Sequence, residues 1–148
     1  MGRENLTTRL AYVSKDLLDE YWPIAAPMLK LAVDRYSKQF GMEDVKAAIE
    51  RGDAMLWLIL VDEEPMAALT LTETVYPRQK RITLELLGGK NADLWAEGLL
   101  DNLKTMAKSA GYDVIETHAR SGWSKLAKKY MFKQAYTAYE LEIDNGPE

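Results

Sequence analysis

The sequence predicts an α/β fold of the α+β type, in which helices flank a mixed, mostly antiparallel sheet. Two observations indicate this class. Three apolar segments joined by short polar turns lie between residues 55 and 87, which is typical of an antiparallel meander. An amphipathic helix between residues 91 and 111 then leads into a further short strand, and such a crossover favours parallel pairing of the strands it joins.

Composition bounds the size and class of the protein. Its 148 residues predict one domain over residues 1–148, with loose ends at about 1–8 and 144–148. The net charge of −4 argues against a general binder of nucleic acid or acidic membranes. The chain has no cysteine and one histidine, so we expect no metal site. The absence of cysteine also fits a reducing cytoplasm.

The first third predicts a short strand followed by two helices. Ala11–Val13 is a candidate strand, and apolar residues recur at helical spacing between residues 17 and 33. Pro23 and Pro27 lie inside that pattern, so we expect a kink or a break into two pieces. Met42–Arg51 is predicted to be the second helix.

The meander consists of three predicted strands, Met55–Val61, Met66–Tyr76 and Lys80–Leu87, and a glycine turn is expected after the third. The first is apolar throughout, which is typical of a buried strand. Alternation on the third predicts that three apolar residues share one face: Ile82, Leu84 and Leu86.

The crossover helix is predicted to begin at a cap, Asn91 or Asp93, and to end at Gly111. Val114–His118 is the expected parallel strand. A short helix and a last strand near Tyr136–Ile143 would follow.

Three features between residues 99 and 132 resemble the GNAT superfamily of acyl-CoA-dependent N-acyltransferases. They are the Leu99-Leu100 pair on the long helix, Gly111 before the next strand, and Met131-Phe132 where that superfamily has a Gly-Phe pair. The resemblance implies a sheet splayed between the fourth and fifth strands, an acetyl-CoA or other acyl-CoA substrate, and an amine acceptor. The chain also resembles small phage proteins with this fold, which implies a place in the host cytoplasm or the virion.

The chain departs from the superfamily at the start of the long helix. A glycine-rich motif there usually presents backbone N–H groups to the coenzyme A pyrophosphate, whereas this chain has residues 91–96, in which only Ala96 fits. Asp93 would place a negative charge beside the pyrophosphate, and Leu94 and Trp95 would crowd its approach. Ala127 replaces a frequent tyrosine acid, and Arg120 replaces a frequent asparagine.

Glu85 is the first candidate for a general base, because it is a carboxylate in a mostly apolar strand beside the expected splay. The alternative is an ion pair with Arg81 or with another cation across the sheet. Glu73 is a second candidate whose alternative is a solvated strand face. His118 is more typical of a strand residue, although it would lie near the cleft.

The resemblance also assigns the coenzyme contacts. Backbone groups of Leu86 and Leu87 would pair with the pantetheine arm. The pyrophosphate would meet a substitute loop and the helix start, with Arg120 nearby: Gly88, Gly89, Lys90, Asn91 and Ala92. A solvated basic surface is the alternative for the lysines and arginines of this region.

Two functions remain open on the sequence. The first is an acyl-CoA-dependent N-acyltransferase with a degenerate coenzyme site. The second is a non-catalytic phage protein that keeps the scaffold as a virion or host-interaction component. The partners would be an amine substrate or a protein, respectively, and no nucleic acid or membrane is expected in either case.

Overall fold

The structure is a computed structural model that describes residues 6–36, 38–118, 132 and 138–143. The chain divides into two compact units, Met1–His118 and Ala119–Glu148. Residues 138–143 of the second unit lie in neither a helix nor a strand, so the strand expected near Tyr136–Ile143 is wrong over that range. A strand requires a hydrogen-bonded neighbour, and the described ladders join only strands of the first unit. The short helix expected before it lies outside the described residues.

Five strands of the first unit form one sheet in the order β1-β2-β3-β4-β5. Neighbouring strands are antiparallel except β4 and β5, which are parallel, so the predicted mixed, mostly antiparallel sheet is confirmed. The strands are β1 (Thr8–Val13), β2 (Met55–Val61), β3 (Glu64–Tyr76), β4 (Gln79–Gly89) and β5 (Val114–Thr117).

Strand β1 begins at Thr8, three residues earlier than the predicted Ala11. The backbone before it is tied to the turn between β2 and β3: the Thr7 amide donates to the Asp62 carboxylate at 2.9 Å, and the Asp62 amide donates to the Thr7 carbonyl at 2.9 Å. These reciprocal bonds extend the pairing of β1 with β2 beyond the apolar stretch that the sequence indicates.

Three α-helices of the described residues connect these strands: α1 (Leu18–Val33), α2 (Met42–Arg51) and α3 (Ala92–Ser109). Helix α1 runs unbroken through Pro23 and Pro27, so the expected break is absent. Both prolines are exposed and lie one turn apart. The lost N–H bonds therefore fall on the solvent side, while Ala25 and Leu29 bury the opposite side against the sheet.

The two faces of the sheet pack against different helices. We call the face under α1 and α2 the α1-side face; its buried residues include Leu56, Leu58 and Ala68. We call the other the α3-side face, where Ile59, Leu69, Ile82 and the buried side of α3 form a second apolar cluster. The sheet is thus covered by helices on both faces, as predicted.

Strand β4 continues through Gly88 and Gly89, where a glycine turn was expected. Ala68 pairs with Gly88 and Ala67 with Gly89. A Cβ at Gly88 would collide with the Met28 carbonyl of α1, and one at Gly89 would collide with Ala67. Gly88 therefore allows helix α1 to cross β4 at backbone contact, and Gly89 allows β3 to approach closely.

Candidate functional site

Strand β4 contains a β-bulge at Glu85. Thr70 of β3 pairs with Leu86, whereas the next residue, Leu71, pairs with Leu84, so Glu85 is the extra residue between them. A bulge of this kind bends the strand, sharpens its twist and re-aims the side chains that follow. It is the local feature that decides what β4 presents on each face.

The bulge changes the predicted faces of β4. Ile82 and Leu84 pack in the α3-side cluster, but Leu86 is buried in the α1-side cluster. The prediction that these three residues share one face is therefore wrong for Leu86. Strict alternation fails because the extra residue shifts the period by one, and Leu87 takes the α3-side position that Leu86 would have held.

The pairing of β4 with β5 ends close to the bulge. The last paired residues are Leu84 and Thr117, while β4 continues from Glu85 to Gly89. Among the described residues no strand pairs with this part of β4 on the β5 side. We call Glu85–Gly89 the open edge of β4. Peptide groups that point out of such an edge are suited to bond a ligand with amide groups of its own.

Helix α3 begins directly beyond the open edge. Asn91 is the N-cap residue, as predicted, and adopts the left-handed conformation with φ of 55°. Its side chain makes no capping bond to the helix, and the Leu94 amide donates to the Asn91 carbonyl at 2.9 Å. The first amides of any helix point outward along its axis, so this helix start is a partial positive charge facing the end of β4.

Trp95 lies in the core instead of crowding the helix start. Its side chain is 3% exposed, within the α3-side cluster, and its indole N–H donates to the Lys90 carbonyl at 2.7 Å. Leu94 also packs against that cluster. Both side chains therefore turn inward, and the bond to Lys90 fixes the β4–α3 connection.

The charges at the helix start are mixed. Lys90 and Asp93 are both exposed, one on each side of Asn91. The Lys90 amide donates to the Met66 carbonyl at 3.0 Å, which holds the backbone while the ammonium group extends into solvent. A cation and an anion thus flank a helix start whose dipole favours anions.

The Glu85 carboxylate is exposed and accepts a hydrogen bond from the Thr72 hydroxyl at 3.1 Å. The alternative partner considered from sequence, Arg81, instead pairs with Glu116 at 2.7 Å. No cation of the described residues makes a salt bridge with Glu85. Its contact with Thr72 places the carboxylate on the α1-side face, at the beginning of the open edge.

A separate polar cluster joins the β3–β4 hairpin to the loop after α3. The Tyr112 hydroxyl donates to the Glu73 carboxylate, and Lys80 Nζ lies 3.9 Å from Glu73 Oε2 and 4.4 Å from the centre of the Tyr112 ring. The amides of Lys80 and Asp113 add further bonds between the two segments. Glu73, the second base candidate, is thus held in a structural contact.

Burial raises the pKa of Tyr112 to about 12, and the hydrogen bond to Glu73 adds to the effect. An unfolded tyrosine has a pKa of about 10. The folded state therefore favours the neutral phenol, and this stabilisation is complete below pH about 10 and is lost as pH rises towards about 12.

In urea unfolding between pH 9 and 12, wild type should lose stability relative to Tyr112→Phe. Parallel curves for the two proteins would contradict the assignment.

Some of the residues singled out in the sequence lie beyond the part of the chain that the structure describes. Arg120 and Ala127 lie outside the described residues, as does Met131 of the Met131-Phe132 pair. The part of the chain that the structure describes holds no group of three or more histidine, cysteine or acidic residues suited to a metal ion. None of its helices is long and apolar enough to cross a bilayer.

Solved structures with the same architecture include several acetyltransferases. A probable acetyltransferase shares 18% identity at a TM-score of 0.68, covering 93% of this chain and 99% of its own. The ribosomal-protein-alanine N-acetyltransferase of Brucella melitensis biovar Abortus 2308 shares 11% at 0.65, covering 93% and 100%. An aminoglycoside acetyltransferase from an uncultured soil metagenomic sample shares 14% at 0.67, covering 93% and 99%.

The chain has the GNAT fold, as the sequence resemblance predicted. No protein-family model and no curated protein sequence matches it. The residues proposed from sequence as coenzyme contacts, apart from Arg120, are contiguous in the structure from the open edge of β4 into the first turn of α3: Leu86, Leu87, Gly88, Gly89, Lys90, Asn91 and Ala92. The bulge that positions them was missed, because no residue type in Leu84–Leu86 marks one.

Proposed function

We propose that this protein is an acyl-CoA-dependent N-acyltransferase that transfers an acyl group such as acetyl to an amine. The bulge at Glu85 carries the proposal, because it sets a carboxylate at the head of a strand edge that leads into a helix start. The acetyltransferase neighbours support the same reaction class. A carboxylate beside an unpaired strand edge is suited to accept a proton from an ammonium group bound there.

The residues at this edge fit an acyl-CoA substrate. The peptide groups of Leu86 and Leu87 lie on the open edge, where the amides of the pantetheine arm would extend the sheet by one strand. The helix start at Asn91 and Ala92, with the exposed ammonium group of Lys90, would receive the pyrophosphate. Gly88 and Gly89 connect these two contacts.

The pyrophosphate contact is degenerate in this proposal. Asp93 is exposed in the first turn of α3, where its charge opposes a bound dianion. The left-handed backbone at Asn91 takes the place of a glycine-rich loop. We therefore expect weaker binding of coenzyme A than a glycine-rich helix start would provide.

The Thr72 hydroxyl and the Glu85 carboxylate would act together on the acceptor. Thr72 donates to one carboxylate oxygen, which fixes the orientation of the group and leaves its other oxygen for an ammonium or a bridging water. Glu85 would then take the proton that keeps the amine from attacking the acyl carbon. This role requires an acceptor bound over the α1-side face.

A non-catalytic scaffold is the competing function, and the charge of Asp93 is the observation that favours it. A phage origin for such a scaffold stays a prediction from sequence. In this case the open edge of β4 would serve a protein partner instead of a coenzyme. Coenzyme binding separates the two functions.

Titration with coenzyme A and acetyl-CoA, followed by calorimetry and thermal unfolding, tests the proposal. Micromolar affinity at millimolar ligand would stabilise the protein by about 4 kcal/mol. Lys90→Ala should weaken binding by about tenfold, since it removes a charge-assisted bond to phosphate. Lys104→Ala removes a lysine of helix α3 that lies away from the helix start, and it should bind as wild type does. The absence of heat and of any thermal shift in wild type would end the acyltransferase proposal.

A further inference from the structure

A second polar cluster lies on β4 and β5. The Arg81 guanidinium bonds one oxygen of the Glu116 carboxylate at 2.7 Å, and His118 Nε2 lies 2.6 Å from the other oxygen. The side chain of Glu116 is 17% exposed, whereas that of His118 is 54% exposed. A largely buried carboxylate thus links a fixed cation to an imidazole that reaches solvent.

This cluster lies where the paired part of the sheet ends. Leu84 and Thr117 are the last pair of β4 and β5, so Glu85 follows that pair within β4 and His118 follows it directly after β5. Ile115 packs into the α3-side cluster, and alternation along β5 therefore directs Glu116 to the α1-side face. His118 lies against Glu116 and so is on the same face. Glu85 lies on the same face through its contact with Thr72.

Glu85 and His118 are consequently two groups able to exchange a proton where the open edge begins. Each is fixed by a neighbour on the sheet: Glu85 by the Thr72 hydroxyl, and His118 by the Glu116 carboxylate. The Arg81 guanidinium lies at ion-pair distance from Glu116 and fixes the position of its carboxylate. A carboxylate in contact with one ring nitrogen orients the imidazole.

We propose that His118 is a catalytic proton donor to the leaving sulfur, and that Glu116 and Arg81 are its positioning residues. The inference rests on the proposed acyltransferase function and extends it. It assigns the acid of the reaction to the residue that follows β5, because the sequence has Ala127 in place of the tyrosine that the resemblance implies on a later helix. Glu85 and His118 would then divide the base and acid roles.

The protons balance in this scheme. Glu85 accepts one proton from the substrate ammonium and passes it to water. The amine nitrogen forms the C–N bond as the C–S bond breaks, and protonated His118 gives its proton to the sulfur, so that a thiol leaves. The neutral imidazole then takes the second proton from the new amide nitrogen, which restores the imidazolium. The net products are an amide, a thiol and one proton released to solvent.

A screen for release of free thiol from acetyl-CoA first identifies an acceptor amine. The kinetics of His118→Gln and His118→Ala with that amine then test the assignment. We expect kcat to fall by about 10²-fold, with KM within about threefold of wild type, and added imidazole to restore part of the activity of His118→Ala. Glu116→Gln should show a smaller loss in kcat. Tyr112→Phe, at the other end of β5, should keep wild-type kcat. A His118→Gln enzyme with wild-type kcat would overturn the inference.

A spectroscopic measurement distinguishes a catalytic from a structural role. The chain has one histidine, so the Cε1–H group of its imidazole gives a single assignable NMR signal. We expect acetyl-CoA to shift that signal in wild type and in Tyr112→Phe. If wild type binds acetyl-CoA and transfers the acyl group while the signal stays fixed, the His118 assignment fails and the acyltransferase function stands. If wild type binds no coenzyme, both fail together.

Discussion

Replacing Glu85 with glutamine should lower kcat by about 10²- to 10⁴-fold while leaving the affinity for coenzyme A unchanged. Glutamine keeps the size of the side chain and a carbonyl oxygen that accepts the Thr72 hydroxyl bond. It cannot take a proton from an ammonium group. The change therefore removes the proposed base without disturbing the bulge that positions it.

Glu73→Gln is the matched control for this loss. Glu73 is a carboxylate on the neighbouring strand β3, but it is bound by Tyr112 and Lys80 in the hairpin cluster. Its substitution should leave kcat within about threefold of wild type. Equal losses in the two variants would indicate a general effect of negative charge on the sheet, and an unchanged kcat in Glu85→Gln would remove the base from the account.

Replacing Gly88 with alanine should destabilise the fold by about 3 kcal/mol. A Cβ at this position would overlap the Met28 carbonyl of α1, which is backbone and has little freedom to move. Relief would require α1 to shift away from β4 and to lose packing of Leu29 on the α1-side face. Urea unfolding measured by circular dichroism gives the change in the free energy of unfolding.

Gly111→Ala separates this steric effect from the loss of glycine's conformational freedom. Gly111 has φ of 80°, and a Cβ there would meet no atom within 4 Å. The substitution should cost about 1 kcal/mol from backbone strain alone. A loss at Gly88 no larger than that at Gly111 would show that α1 does not press on the strand as described.

The sequence predicts those elements whose own residues carry a pattern. The apolar run Met55–Val61 and the helix Met42–Arg51 have the expected bounds, because a buried strand and a short amphipathic helix each show their period directly. The parallel pairing of β5 follows from the crossover through α3. Continuity of α1 across Pro23 and Pro27 could not be read from sequence, since it depends on which side of the helix the sheet covers.

The elements that form the candidate site were predictable from the sequence, but their local geometry was not. The open edge of β4 and the start of α3 lie where the resemblance put them. Gly88 and Gly89 suggested a phosphate loop, but a glycine required by a crossing helix looks the same in a sequence as one required by a ligand. The contact between His118 and Glu116 joins residues two apart at the end of β5, and nothing in the local sequence distinguishes such a pair from any other two residues at this spacing.

Backbone amide hydrogen exchange with and without coenzyme A tests the central claim most directly, namely that the open edge of β4 and the first turn of α3 bind the coenzyme. At saturating ligand, exchange should slow at amides within Glu85–Gly89 and at Ala92 and Asp93, and stay unchanged in the Tyr112 cluster. Protection at another part of the described sheet, with the open edge exchanging as in the free protein, would contradict the account.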